Sequence, residues 1–140
     1  MAEITEEIAM KLWQKCFGTV RFARDCFGTW MCIDGWGNEP YVTIMPNSDG
    51  KKYDYSWNVD HIRPKSSFRN ENDADFWENL EPMHRLNNEE KSDKYPGFSI
   101  GKHSYTVVRD EYHGGYGIED ENNRRIIQFN YILQNKIRQI

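Results

Sequence analysis

The chain has 140 residues, about one domain's worth, and its 38% hydrophobic and 14% aromatic content is enough to bury a core and excludes wholesale disorder. Acidic residues outnumber basic ones 22 to 18, for a net charge of −4 and a pI near 5.6. That balance excludes a protein that holds nucleic acid mainly by bulk positive charge, while leaving room for a local basic groove.

No apolar run is long enough to span a membrane, and Met1-Ala2-Glu3-Ile4-Thr5-Glu6-Glu7 has no apolar leader character. The three cysteines, Cys16, Cys26 and Cys32, form no Cys-x-x-Cys pair. A reduced, cytoplasmic chain without a paired-cysteine zinc knuckle is therefore expected, its cysteines serving as packing residues.

Residues 5–17 predict an amphipathic helix, because Ile8, Ala9, Leu12, Trp13, Cys16 and Phe17 recur at three- and four-residue steps. Thr5 suits the N-cap, Glu6 and Glu7 suit the positive end of the helix dipole, and Gly18 is a stop. Residues 19–57 predict short strands, with β-prone pieces at 29–33 and 41–45 between turn signals such as Asp34-Gly35 and Asp49-Gly50.

Residues 57–94 are polar and dense in His, Asn, Asp and Lys. Val59 leads into Asp60-His61 at the end of a short strand, and Pro64 forbids continued regular pairing. A loop of about fifteen residues follows, a length often associated with function or flexibility. Asn79-Leu80 can begin a return strand, and the stretch from about Met83 to Asp93, free of Gly and Pro, favours a helix. That helix would place Arg85, Asn88 and Lys91 or Ser92 on one face. Beyond Pro96-Gly97 a strand is expected at 104–108, a turn at His113-Gly114-Gly115, and a second strand at 116–119. Residues 124–140 fit a strand near 124–129 that becomes a helix, or a helix throughout. The expected class is α+β.

The residue types of 57–94 suit one reaction. A hard divalent cation takes oxygen ligands, which Asp60 and Asn88 can supply. A neutral histidine accepts a proton from water near neutral pH, and a metal on a phosphate oxygen stabilises the charge that develops in phosphodiester cleavage. Arg63, Lys65, Arg69, Arg85, Lys91 and Lys94 are candidates to line a phosphate groove. The interleaved Glu71, Asp73, Asp75, Glu78, Glu89 and Glu90 equally suit a solvated mixed surface.

The order Asp60-His61, Pro64, Asn79-Leu80, then Asn88 nine residues after Asn79 and Lys91 three further on, resembles the HNH nuclease motif of the ββα-metal superfamily in its His-Asn-Asn form. The ending Asn88-Glu89-Glu90-Lys91-Ser92-Asp93 is similar to the HNH domain of RNA-guided CRISPR nucleases. The longer stretch from Trp57 to Pro96 resembles small stand-alone bacterial and phage HNH proteins.

The resemblance implies a ββα-metal unit over 57–94, with a helix and β-rich scaffold over 1–56 and a β-hairpin and terminal element over 97–140, all in one domain. His61 would be the general base. Asp60 and Asn88 would bind one Mg²⁺, Mn²⁺ or similar ion, and Asn79 would hold the His61 loop by hydrogen bonds. Lys91 would lie near the phosphate or stabilise the helix. Apart from the resemblance, Arg63, Lys65 and Arg85, with Lys91, are the expected substrate contacts. The implied substrate is DNA, with RNA left open, and the implied products carry a 3′-hydroxyl and a 5′-phosphate.

Two departures stand out. The cysteine pairs that hold structural zinc in many HNH proteins are absent, and His84 stands where zinc-bearing relatives often have Cys, which suits a surface or helix-start residue better than a ligand. Asn87 is one register slip from Asn88, and the spacing to Lys91 favours Asn88. Trp57 and Trp77 fit core packing better than base stacking. An expectation of another class is an HNH fold kept as a binding module for a protein partner, such as a phage- or plasmid-encoded inhibitor of a bacterial defence system. The acidic balance favours a partner; the intact set of Asp60, His61, Asn79 and Asn88 argues against a dead enzyme.

Overall fold

A computed structural model describes residues 4–112 and 114–127. Helix α1 (Glu6–Phe17) forms where the apolar stripe predicts it. Thr5 Oγ1 accepts the Ile8 N–H at 3.3 Å, and Gly18, at φ 71°, closes the other end by donating to the Gln14 carbonyl. Strands β1 (Phe22–Arg24) and β2 (Trp30–Cys32) form a hairpin. Its loop is held by the Asp25 carboxylate, which accepts from the N–H groups of Phe27 and Thr29. β2 ends earlier than its β-prone residues predict because Ile33–Gly35 tightens into a 3₁₀ turn. A second hairpin pairs β3 (Val42–Ile44) with β4 (Lys52–Asp54).

Strand β5 (Trp57–His61) pairs antiparallel with β6 (Leu80–His84), placing Asp60 opposite Glu81 and His61 opposite Leu80. The connection between them is not an open loop: 3₁₀ turns occupy Lys65–Ser67, Glu71–Ala74 and Trp77–Asn79. Helix α2 (Arg85–Lys91) begins two residues later than expected, because Met83 and His84 remain in the ladder opposite Asn58 and Trp57. It stops at Ser92, whose φ of 53° leaves the helical region.

Strands β7 (Gly97–Ile100), β8 (His103–Asp110), β9 (Gly115–Asp120) and β10 (Arg125–Ile127) build a four-stranded antiparallel sheet in the order β10-β9-β8-β7. Gly114 turns the chain from β8 into β9, a hairpin and not a phosphate loop. The expected terminal helix after residue 129 and the side chain of His113 lie outside the described residues. The class is α+β, and among the described residues no helix is long and apolar enough to cross a membrane.

The apolar residues gather into two cores. Ala9, Trp13, Ala23, Met31 and Trp57 form one, with Trp13 and Trp57 rings 5.0 Å apart. Ile62, Phe98, Val107, Tyr116 and Ile118 form the other, against Phe27, Phe68 and Phe76. β5 therefore leaves the first core at Trp57 and delivers the chain to the second at Ile62. Cys32 is buried, and Cys16 and Cys26 are half-buried free thiols. Burial, then the Glu81 carboxyl, pushes the Cys16 thiol up to about 12 and the Cys26 thiol well above 9.0, so both stay protonated and are poor nucleophiles.

The C-terminal sheet docks on the turn that precedes β6. Gly115 sits so close to Glu78 that a Cβ there would overlap the Glu78 backbone, one residue from Asn79. We expect Gly115→Ala to cost about 1–3 kcal/mol by urea denaturation. Gly97→Ala, whose nearest neighbour would be the Tyr105 carbonyl at 3.8 Å, should stay within about 0.5 kcal/mol of wild type. Equal effects would show that the β9 contact is not tight.

Candidate active site

Helix α2 is joined by three of its side chains to the stretch from Asp54, the last residue of β4, through β5 to Ile62. Arg85 reaches Asp54 Oδ2 through Nε at 3.0 Å and a terminal guanidinium nitrogen at 2.8 Å. Asn88 donates from Nδ2 to Asn58 Oδ1. Lys91 donates from Nζ to Asp60 Oδ1 at 3.3 Å, the His61 carbonyl at 3.1 Å and the Ile62 carbonyl at 3.0 Å. Successive rungs are three residues apart on the helix, about 4.5 Å of rise, and the upper two are two residues apart on the strand, about 6.6 Å. The helix face expected from spacing is thus the face that meets β5, and Lys91 at its end is wholly buried.

Asp60, also buried, lies across the ladder from Glu81, which is fully enclosed. Burial raises both carboxyls, and the neighbouring Lys91 ammonium pulls Asp60 back towards ionisation. Glu81 is driven well above its ordinary 4.5 by burial first and by the Asp60 charge second, so it is the carboxyl that keeps its proton. The protonated Glu81 donates to Asp60, the Cys26 thiol also bonds Glu81, and Lys91 Nζ lies 3.2 Å from Asp60 Oδ2. The cluster is then neutral: one carboxylate, one carboxylic acid and one ammonium.

His61 leaves the strand end with 15% of its side chain exposed, and its Nε2 lies 2.8 Å from Asp75 Oδ1. Lys65 Nζ is 3.8 Å from the other Asp75 oxygen. Asn79 holds this loop together. Its Oδ1 accepts from Arg63 N–H at 2.8 Å, its Nδ2 donates to the carbonyls of Arg63 at 3.1 Å and Ala74 at 3.0 Å, and its own carbonyl accepts from Ile62 N–H at 2.8 Å.

The residues singled out by sequence are therefore gathered around one hairpin end, in two groups. Asp60, Asn88 and Lys91 belong to the helix–strand ladder; His61 and Asn79 belong to the loop beyond it. The cationic side chains are largely occupied by internal partners. The Arg63 guanidinium stacks 4.2 Å over Phe68 and donates to Tyr116 Oη at 2.8 Å and to Ser67. Arg85 serves Asp54 and Ser56, and Lys91 faces inward, which leaves Lys65, one-third exposed, as the most accessible of the four expected phosphate contacts.

His84 starts α2: its Nδ1 accepts from Leu86 N–H at 3.2 Å, so Nε2 is the nitrogen that donates to the Asp54 carbonyl at 2.7 Å. It is buried, not a surface residue. Asn87 binds Asp25 Oδ2 and Thr29 Oγ1, which ties the β1–β2 loop to the helix start and separates its role from that of Asn88. Sequence reasoning missed Asp75 and Glu81. Glu81 becomes visible once the β5–β6 register is known, whereas nothing in the spacing of the loop distinguishes Asp75 from the acids around it.

Among the described residues no three His, Cys, Asp or Glu side chains converge as a metal-holding group. Asp60 and Asn88 carry oxygens of the type a hard divalent cation takes. Asp60 offers carboxylate oxygens, and Asn88 uses its nitrogen on Asn58, which keeps its carbonyl oxygen as the acceptor. Such an ion would share Asp60 with the Lys91 ammonium, 3.2 Å from Oδ2. No family model matches this chain, and comparison with curated proteins and with solved structures finds no match.

Two outcomes follow from the buried charges. Lys91→Met strands the Asp60 carboxylate, and we expect a loss of about 3–5 kcal/mol in urea denaturation; a change below ~1 kcal/mol would mean that the ion pair is not holding α2. Because the folded-state Glu81 carboxyl lies above its ordinary 4.5, the folded protein binds the extra proton, and stability falls as pH rises from 4.5 towards the folded value. Glu81→Gln keeps a donor for Asp60 without that titration. Wild type should therefore lose stability relative to Glu81→Gln as pH rises above the ordinary 4.5 of the carboxyl, and a constant separation of the two curves would place the proton elsewhere.

Proposed function

We propose that this protein is an HNH-type endonuclease that hydrolyses phosphodiester bonds in DNA, with His61 as general base and one divalent cation held by Asp60 and Asn88. The observation that carries the reading is the strand–loop–strand–helix unit of β5, β6 and α2, with a partly exposed loop end at His61 secured by the buried Asn79 amide.

His61 sits at the rim of the second core, where a water can be held against its ring and a phosphate can approach from solvent. In the reaction, the ring takes a proton from that water and the water oxygen forms the new bond to phosphorus. The bond from phosphorus to the 3′ oxygen breaks, and that oxygen takes a proton from solvent. An ion held by Asp60 and Asn88 would supply Lewis-acid stabilisation of the negative charge that develops in the reaction. Lys65, one-third exposed, would attract the backbone, and Asn79 would steady the base through its bonds to the carbonyls of Arg63, two residues beyond His61, and of Ala74, the residue before Asp75.

A second reading, a binding module built on the same fold, has one observation in its favour. Asp60 already has its charge matched by Lys91, an arrangement a protein without catalytic duty can keep. One assay separates the two. With Mg²⁺ or Mn²⁺, wild type should nick supercoiled plasmid, and His61→Ala, melting within a few degrees of wild type, should be slower by ~10²–10⁴-fold. Equal cutting by both proteins removes His61 as the base. No cutting of DNA or RNA by wild type, together with a stable complex with a protein partner, favours the binding module.

A further inference from the structure

We infer that Asp75 is a positioning residue for His61: it fixes the imidazole in the tautomer with the proton on Nε2 and leaves the Nδ1 lone pair to receive the proton of the attacking water. The inference rests on the nuclease reading for its catalytic consequence, but the geometry is independent of it. A carboxylate only accepts, so the 2.8 Å contact makes His61 Nε2 the donor, and in the neutral ring Nδ1 is then the acceptor. The Asp75 side chain is 2% exposed, so water does not compete for this bond, whereas His61 keeps 15% of its surface towards solvent.

The fold holds Asp75 in place by the same amide that holds the strand end. Asp75 follows the 3₁₀ turn Glu71–Ala74 and donates its N–H to the Asn72 carbonyl at 3.2 Å. The preceding residue, Ala74, is wholly buried and its carbonyl receives Asn79 Nδ2. That nitrogen also holds the Arg63 carbonyl, two residues beyond His61. One buried amide therefore clamps both sides of the loop, and the distance between base and carboxylate is set by its two bonds. When the ring takes the water proton at Nδ1 it becomes an imidazolium, and the carboxylate on Nε2 lies where that charge forms. Base, orienting carboxylate and a buried support for both are the parts that general-base catalysis requires.

The test pairs a spectroscopic reading with kinetics. Long-range ¹H–¹⁵N correlation spectra of histidine-labelled protein, with His61→Ala used to assign the His61 signals, report the tautomer directly. Wild type should show the Nε2–H form, and Asp75→Asn, whose amide can offer a donor in place of the carboxylate, should lose that preference. With Mn²⁺ present and plasmid as substrate, Asp75→Asn should lower kcat by at least ~10-fold with KM unchanged, and Asp75→Glu should recover part of the loss. An unchanged tautomer in Asp75→Asn, or unchanged kcat beside an active wild type, overturns the proposal. If wild type cuts no nucleic acid, the nuclease reading falls by itself and the spectra alone decide whether Asp75 sets the tautomer. Thermal melts of each variant identify a folding failure, in which case Asp75→Glu and the wild-type spectrum carry the decision.

Discussion

The Lys91 ammonium is the interaction on which the rest of the hairpin depends. Taking a charge of this kind out of water costs several kcal/mol unless it is fully coordinated, and here it is coordinated by a carboxylate and two carbonyls contributed by three consecutive residues, Asp60, His61 and Ile62. Those residues are the last of β5 and the first of the loop. A single nitrogen therefore decides where the strand stops, which carbonyls turn inward, and how the end of α2 sits against them. The rungs at Asn88 and Arg85 follow from that anchor, because a helix fixed at one end and pointing along a strand has little freedom left in its rotation.

The neutral cluster beneath this anchor separates the two jobs a buried carboxylate can do. Glu81, protonated, gives Asp60 a donor and adds no charge; Lys91 gives it a counter-ion. Asp60 is in this way stable inside the protein's own structure before any ligand arrives. An incoming divalent ion would meet a carboxylate already engaged and would have to share it with the Lys91 ammonium.

Much of the site was legible in the sequence because its residue types carry their chemistry openly. Asp60-His61 before a proline, Asn79, and Asn88 with Lys91 one helical turn apart mark a strand end, a loop support and a helix face, and the structure places them on those elements. The α1 stripe was legible for the same reason, through its period. What was hidden depends on long-range contacts. Lys91 looks like a surface lysine until β5 is seen to end beneath it, and Arg63 looks like a phosphate contact until Phe68 and Tyr116 close around its guanidinium. β1, β4 and β7 are three or four residues each, too short for a period to show, and exist because a partner strand completes them.

The contact of Gly115 with Glu78 has a consequence for how far the motif can travel. The residues that carry the chemistry are contiguous, and they invite treatment as a portable cassette. Yet the turn bearing Asn79 is pressed from behind by a strand that begins more than thirty residues later, and Arg63 is pegged by Tyr116 from that same strand. Grafting the stretch from Trp57 to Pro96 onto another scaffold would carry the side chains without the wall that sets their spacing. The inheritable unit is the motif together with β8 and β9, and recombination that cuts between them would separate Asn79 and Arg63 from the strand that backs them.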